Sequence, residues 1–191
     1  MLERLSEKFA EKLVSAGIIS EADTDVYVYG FFQAVMLLFN VVTTLLLGIT
    51  FQLLIPCILL NLAYIPIRIS AGGHHADSPL KCYIHSTIMI AVLLSVIKWV
   101  PIHPAVSIAL IVISSVVIWI FAPLETENNP LDEVEQHVYR KRTRIILVIE
   151  IVIVLLCLIF SKDQTAATIV LGLFTEALML LVGIAEKYKI R

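Results

Sequence analysis

Between Val26 and Ile67 the chain contains not one Asp, Glu, Lys or Arg. As a helix at about 1.5 Å per residue, that run would be about 60 Å long, roughly twice the 30 Å hydrocarbon core of a bilayer. It must therefore cross twice, and its least apolar stretch, Gly48–Gln52, is the place to turn. Two helices are expected, at about 26–47 and 51–67. The rest of the chain is of the same kind. Of 191 residues, 59% are hydrophobic and only 16% charged, with a mean hydropathy of +0.94. A soluble domain of this size could not cover so much apolar surface.

Further spans are expected at about 82–100, ended by Pro101-Ile-His-Pro104, and at about 105–122, ended by Ala122-Pro123. Two more follow at about 143–161 and 165–185. In residues 2–17, Leu2, Leu5, Phe9 and Leu13 recur at helical spacing beside Arg4, Lys8 and Lys12. That pattern predicts an amphipathic helix (segment 1–22), either lying on the membrane surface or packed on the bundle or a second subunit. Asn129-Pro130 reads as a helix start with Pro at the first helical position, and Asp132, Glu133 and Glu135 follow in the early turns. The fold expected is all-α: one polytopic membrane domain over residues 1–191, with about six transmembrane helices plus the N-terminal amphipathic helix. An even number of spans puts both termini on one side. Twelve of the fourteen Lys and Arg residues then share that side, leaving Lys98 and Lys162 opposite. The positive-inside rule makes it the cytoplasmic side of the cell membrane, for both termini, the 68–82 loop and the 124–142 loop.

The first 25 residues mix acids and bases and lack the apolar core of a secretory signal. A net charge of -2 offers nothing to nucleic acid. Three cysteines make no disulfide framework, and Cys57 and Cys157 lie within apolar runs as small buried hydrophobes.

Cys82 is different. The stretch Arg68-Ile-Ser-Ala-Gly-Gly-His-His-Ala-Asp-Ser-Pro-Leu-Lys-Cys82 is a polar interruption between spans, and three of the five histidines lie between residues 74 and 85. Ser78 reads as an N-cap with Pro79 at the first helical position. Cys82 then sits in the first turns of a helix, where helix N-termini stabilise negative charge, with Lys81 beside it. His75 in the entry loop can fold back over that helix end, and His85, one turn after Cys82, shares its face. Either imidazole could act as base to a cysteine nucleophile. Gly72-Gly73 permits positive φ and close backbone approach, suited to gripping an extended peptide or offering N–H groups to an oxyanion. Spacing alone leaves two alternatives open: a metal site through His74, His75, Asp77 or His85, or no chemistry at all.

The pattern Arg68, Gly72, Gly73, His75, Ala76 and Cys82 resembles the AgrB family, as does the proline-bearing stretch with Ala122-Pro123, Asn129 and Pro130. Chain length and hydropathy fit the family throughout, although the specific part of the resemblance is the short central motif. The resemblance implies a membrane cysteine endopeptidase of peptide quorum sensing. Such proteins remove the C-terminal tail of a small AgrD-like precursor peptide and help close its thiolactone or lactone ring. It maps the catalytic pair onto His75 and Cys82, with Arg68, Gly72 and Gly73 shaping the site. It assigns no role to His74 or His85 and implies no cofactor and no metal. The implied partners are the precursor peptide and the lipid bilayer, and the amphipathic N-terminal helix leaves room for a homodimer.

Glu150 and Glu176 fall inside the fifth and sixth spans, roughly 10 and 14 Å from their cytoplasmic ends at 1.5 Å per residue. Acids at such depth face a bundle interior or a polar cavity. Either they line one polar pocket beneath the loop, with Arg68 or Asn61 as partners, or, as protonated or paired carboxyls, they fix helix packing. The rival readings are a peptide or solute transporter, supported only by Asn40, Asn61 and Glu176 near mid-span, and a metal-dependent membrane hydrolase.

Overall fold

The computed structural model describes residues 2–73, 78–125 and 131–189. Within them the chain forms seven α-helices: α1 (Leu2–Ser15), α2 (Thr24–Thr50), α3 (Leu54–Ala71), α4 (Pro79–Trp99), α5 (Pro104–Phe121), α6 (Glu133–Ile159) and α7 (Asp163–Lys189), with one 3-10 turn (Glu21–Asp23) before α2. The architecture is all-α, as an uninterrupted apolar sequence in lipid requires: a helix satisfies its own backbone hydrogen bonds where no water can.

Five helices, α2, α3, α4, α5 and α7, are long and apolar enough to cross a membrane by length and composition. Six spans were expected, and the remaining one is α6. Arg142, Arg144 and Glu150 punctuate its apolar half, although it is as long as α2 and α7. The long uncharged run divides at Phe51–Leu53, where Gln52 takes a left-handed φ of 59° and the Leu53 N–H returns to the Gly48 carbonyl at 2.8 Å. The α6–α7 turn repeats the device with Ser161 at φ 54° and the Lys162 N–H on the Cys157 carbonyl at 2.7 Å. Both turns cap a helix C-terminus by returning N–H groups to its last carbonyls.

The start of α6 corrects the expected helix start at Pro130. Asn129 and Pro130 lie outside the described residues, and the first helical residue is Glu133. Asp132 is the N-cap: its side chain accepts from the Glu135 N–H at 2.7 Å, while Glu135 Oε2 accepts from the Asp132 N–H at 3.2 Å. That reciprocal pair satisfies two N–H groups at the helix start.

The helices are unequally buried. α7 packs against α3, α5 and α6 and forms the centre of the bundle. Its Ala166, Val170, Leu173 and Leu180 are fully buried against Ile67, Ile118, Leu147 and Val154. Gly172 brings α7 against the Ala63 Cβ and the Leu60 carbonyl of α3, a close approach that a side chain would prevent. α2 is the opposite case. It presents Leu37, Leu38, Leu46 and Ile49 outward, each more than half exposed, a surface suited to lipid and not to water. Its links to α4 are polar: Asn40 Nδ2 donates to Ser86 Oγ at 3.0 Å, and Thr43 Oγ1 lies 2.6 Å from the Tyr83 hydroxyl. α1 folds back on α2, burying Ser6 and Ala10 and stacking Phe9 on Phe31 with ring centroids 4.3 Å apart. Of the two placements weighed for this amphipathic helix, the structure has it packed on the helices, with Leu5 still exposed.

Candidate active site at the end of α3

The C-terminus of α3, the segment after α5 and the middle of α7 meet in one junction. Ser78 caps α4, its side chain accepting from the Lys81 N–H at 3.3 Å, and Pro79 opens the helix. Proline has no N–H to satisfy there, and its φ already suits a helix. Cys82 follows in the next turn, its N–H on the Ser78 carbonyl at 3.0 Å, and its side chain is exposed. Cys57, by contrast, is fully buried, with Sγ 3.4 Å from the Thr44 carbonyl. His85 is exposed one turn beyond Cys82. His75, the expected base, lies outside the described residues together with His74, Ala76 and Asp77.

The two glycines are held from three directions. α3 ends at Gly72, whose φ of 75° and ψ of -148° are inaccessible to other residues without strain. Its N–H returns to the Arg68 carbonyl at 3.2 Å. Gly72 pairs with Leu124 in a short parallel bridge, and the Leu124 N–H donates to the Ala71 carbonyl at 2.8 Å. A Cβ on Gly72 would collide with the Leu124 carbonyl oxygen. Gly73, at φ 118°, faces the Arg68 guanidinium, with which a Cβ would collide, and the Met179 carbonyl of α7, which would lie 3.2 Å from that Cβ. The two segments that carry the family resemblance, 68–82 and the proline-bearing stretch after α5, are therefore in direct backbone contact.

Arg68 is central to this junction. Its Nη1 donates to the Gly72 carbonyl and lies 3.8 Å from Glu176 Oε1 on α7. Glu176 is completely buried, and neither carboxylate oxygen has a hydrogen-bond partner among the described residues. Tyr64, one turn before Arg68 on the same face of α3, is half-buried. The sequence reading did not single out Tyr64, although its i, i+4 spacing from Arg68 was a usable signal.

Glu150 is buried on α6 with Oε2 lacking a hydrogen-bond partner among the described residues. Asn61 donates to the Cys57 carbonyl at 2.8 Å within its own helix. With Asn40 bound to Ser86, both amides are engaged in or between helices. Among the described residues no three His, Cys, Asp or Glu side chains gather as metal ligands.

Comparison with known proteins bears on this geometry. Residues 6–180 match the family described as Accessory gene regulator B. Protein FsrB of Enterococcus faecalis is 28% identical over 146 residues, covering 75% of this chain and 59% of that protein. Accessory gene regulator protein B of Staphylococcus aureus is 32% identical over 121 residues, covering 63% of this chain and 62% of its own length. A putative AgrB-like protein of Halalkalibacterium halodurans is 23% identical over 181 residues, or 94% of this chain and 87% of that one. The matched part thus spans about three fifths of the first two relatives. No solved structure matches the chain.

Proposed function

This chain belongs to the AgrB family, and from that premise we propose that it is a membrane cysteine endopeptidase of peptide quorum sensing, acting on a small AgrD-like precursor. The observation that carries the reading is the placement of Cys82: exposed in the first turns of a helix capped by Ser78, ten residues along the chain from a double glycine whose backbone is clamped by Leu124. An exposed nucleophile on a rigid support is what a thiol protease requires.

His75 takes the thiol proton, and the Cys82 sulfur attacks the scissile carbonyl of the precursor. Collapse of the tetrahedral intermediate breaks the peptide C–N bond, and the tail's new amine leaves with the proton held by His75. A peptidyl thioester remains on Cys82. A Cys or Ser within the peptide then attacks that carbonyl, its proton passing through His75 to the departing Cys82 sulfur. The product is a thiolactone or lactone ring. A semi-dry site at the membrane face slows the competing attack by water. Arg68, Gly72 and Gly73 shape the loop, and Glu176 faces the Arg68 guanidinium from α7. By the positive-inside distribution of Lys and Arg, this end of the bundle and both termini face the cytoplasm.

The test is cleavage of a candidate precursor by the purified protein in liposomes. Cys82→Ala and His75→Gln are each expected to abolish release of the C-terminal tail. Full cleavage by Cys82→Ala would overturn the reading.

A further inference from the structure

We propose that Glu176 is a positioning residue for the catalytic loop, acting through Arg68 on the Gly72 carbonyl; this rests on the peptidase reading above. Glu176 has no exposed surface and no hydrogen-bond partner among the described residues for either carboxylate oxygen. A carboxylate so placed is costly unless a cation faces it. The cation is Arg68, at 3.8 Å. The same guanidinium nitrogen, Nη1, donates to the Gly72 carbonyl. One nitrogen thus joins the centre of α7 to the loop that leads into His75.

Arg68 stands in the last turn of α3 with 16% of its side chain exposed. A long cationic side chain at a helix end in a membrane otherwise extends toward the polar interface. Glu176 holds it inward, and the loop is built around that inward position. Gly73 lacks a side chain where the guanidinium passes, and the Met179 carbonyl, from the turn of α7 after Glu176, borders the same space. The carboxylate, the guanidinium and the loop backbone thus form one continuous series of contacts. Glu176 touches none of the described reacting groups, so its effect on the reaction is through geometry.

The experiment is steady-state cleavage of precursor peptide in liposomes by wild type, Cys82→Ala, Glu176→Gln, Glu176→Asp, Arg68→Lys and the Arg68→Lys/Glu176→Gln double variant. A misplacement of about 1 Å costs a reaction about 100-fold, so Glu176→Gln is expected to lower kcat by about 10- to 100-fold with KM nearly unchanged. Glu176→Asp, which keeps the charge, recovers part of the loss. The double variant is no slower than the slower single variant, because both act through one contact. Wild-type kcat in Glu176→Gln, or losses that multiply in the double variant, would overturn the proposal. Should Glu176→Gln fail to fold, Arg68→Lys carries the same expectation, since a point charge cannot replace a guanidinium bridging two groups; wild-type kcat there overturns the proposal equally. Cys82→Ala separates the two levels. If it is inactive while Glu176→Gln is unimpaired, only the positioning role falls; if it cleaves like wild type, the peptidase reading falls and this inference with it.

Discussion

The two ends of α3 are each secured by a basic side chain donating to a backbone carbonyl, and they differ in what stands behind it. At the N-terminal end, Lys98 Nζ donates to the Phe51 carbonyl at 2.9 Å and lies over the Phe51 and Trp99 rings, 6.0 and 5.6 Å from their centroids. Lys98 is exposed, and the arrangement resembles the aromatic and basic anchors found at membrane interfaces. At the C-terminal end, Arg68 donates to Gly72 from a largely buried position, with the carboxylate of Glu176 behind it. The first clamp fastens a turn that water can also solvate. The second fixes a backbone conformation available only to glycine and excludes alternatives to it. Buried charge is expensive in a membrane, and the molecule places it where a loop must not move.

Breaking the buried clamp is expected to have the largest effect. Arg68→Ala releases Gly72 and leaves Glu176 without its cation, which costs about 3–5 kcal/mol for a buried pair; cleavage falls by about 100-fold or more. Thermal unfolding in detergent and tail release in liposomes measure the two effects. Gly73→Ala attacks the same clamp from the loop side. It strains a φ of 118° and drives a methyl group against the Arg68 guanidinium, so a loss of about 1–3 kcal/mol is expected, with cleavage reduced about tenfold or more. Glu150→Gln sharpens the comparison between the two buried acids. Glu150 has no ion pair among the described residues, so kcat is expected to stay within about threefold of wild type and stability to hold or rise. Lys98→Met removes the exposed clamp. Cleavage within about twofold of wild type and a stability change below about 1 kcal/mol are expected. A loss there matching that of Arg68→Ala would erase the distinction between the two ends.

Local chemistry made much of this readable from sequence. The uncharged run, the turn near Gln52 and the Ser78-Pro79 start of α4 all follow from interactions within a few residues. α6 marks the limit of such reading even locally: Asp132 was read as lying within the early turns, and the Asp132–Glu135 capping box shows it to be the N-cap of α6. The charges on α6 are likewise legible, but periodicity does not say how a helix carrying Arg142, Arg144 and Glu150 sits relative to the bilayer. In fact Arg144 stacks over the Trp119 ring of α5 at 4.4 Å. Least legible were contacts between distant segments. That Leu124 would pair with Gly72, and the Met179 carbonyl close over Gly73, depends on how α5 and α7 pack on α3. No local pattern encodes that packing. Arg68 as a partner for an intramembrane acid was inferable from depth alone, whereas its second role, holding the Gly72 carbonyl, emerged only from the fold.

The most direct measurement is the intact mass of protein and peptide after a candidate precursor is incubated with the protein in liposomes, wild type beside Cys82→Ala. A thiol peptidase gives a peptidyl adduct on wild type only, a released C-terminal tail, and an N-terminal product lacking one water relative to the linear fragment, the mark of ring closure. Equal cleavage by both proteins, with no adduct on either, would show that Cys82 is not the nucleophile and contradict the account.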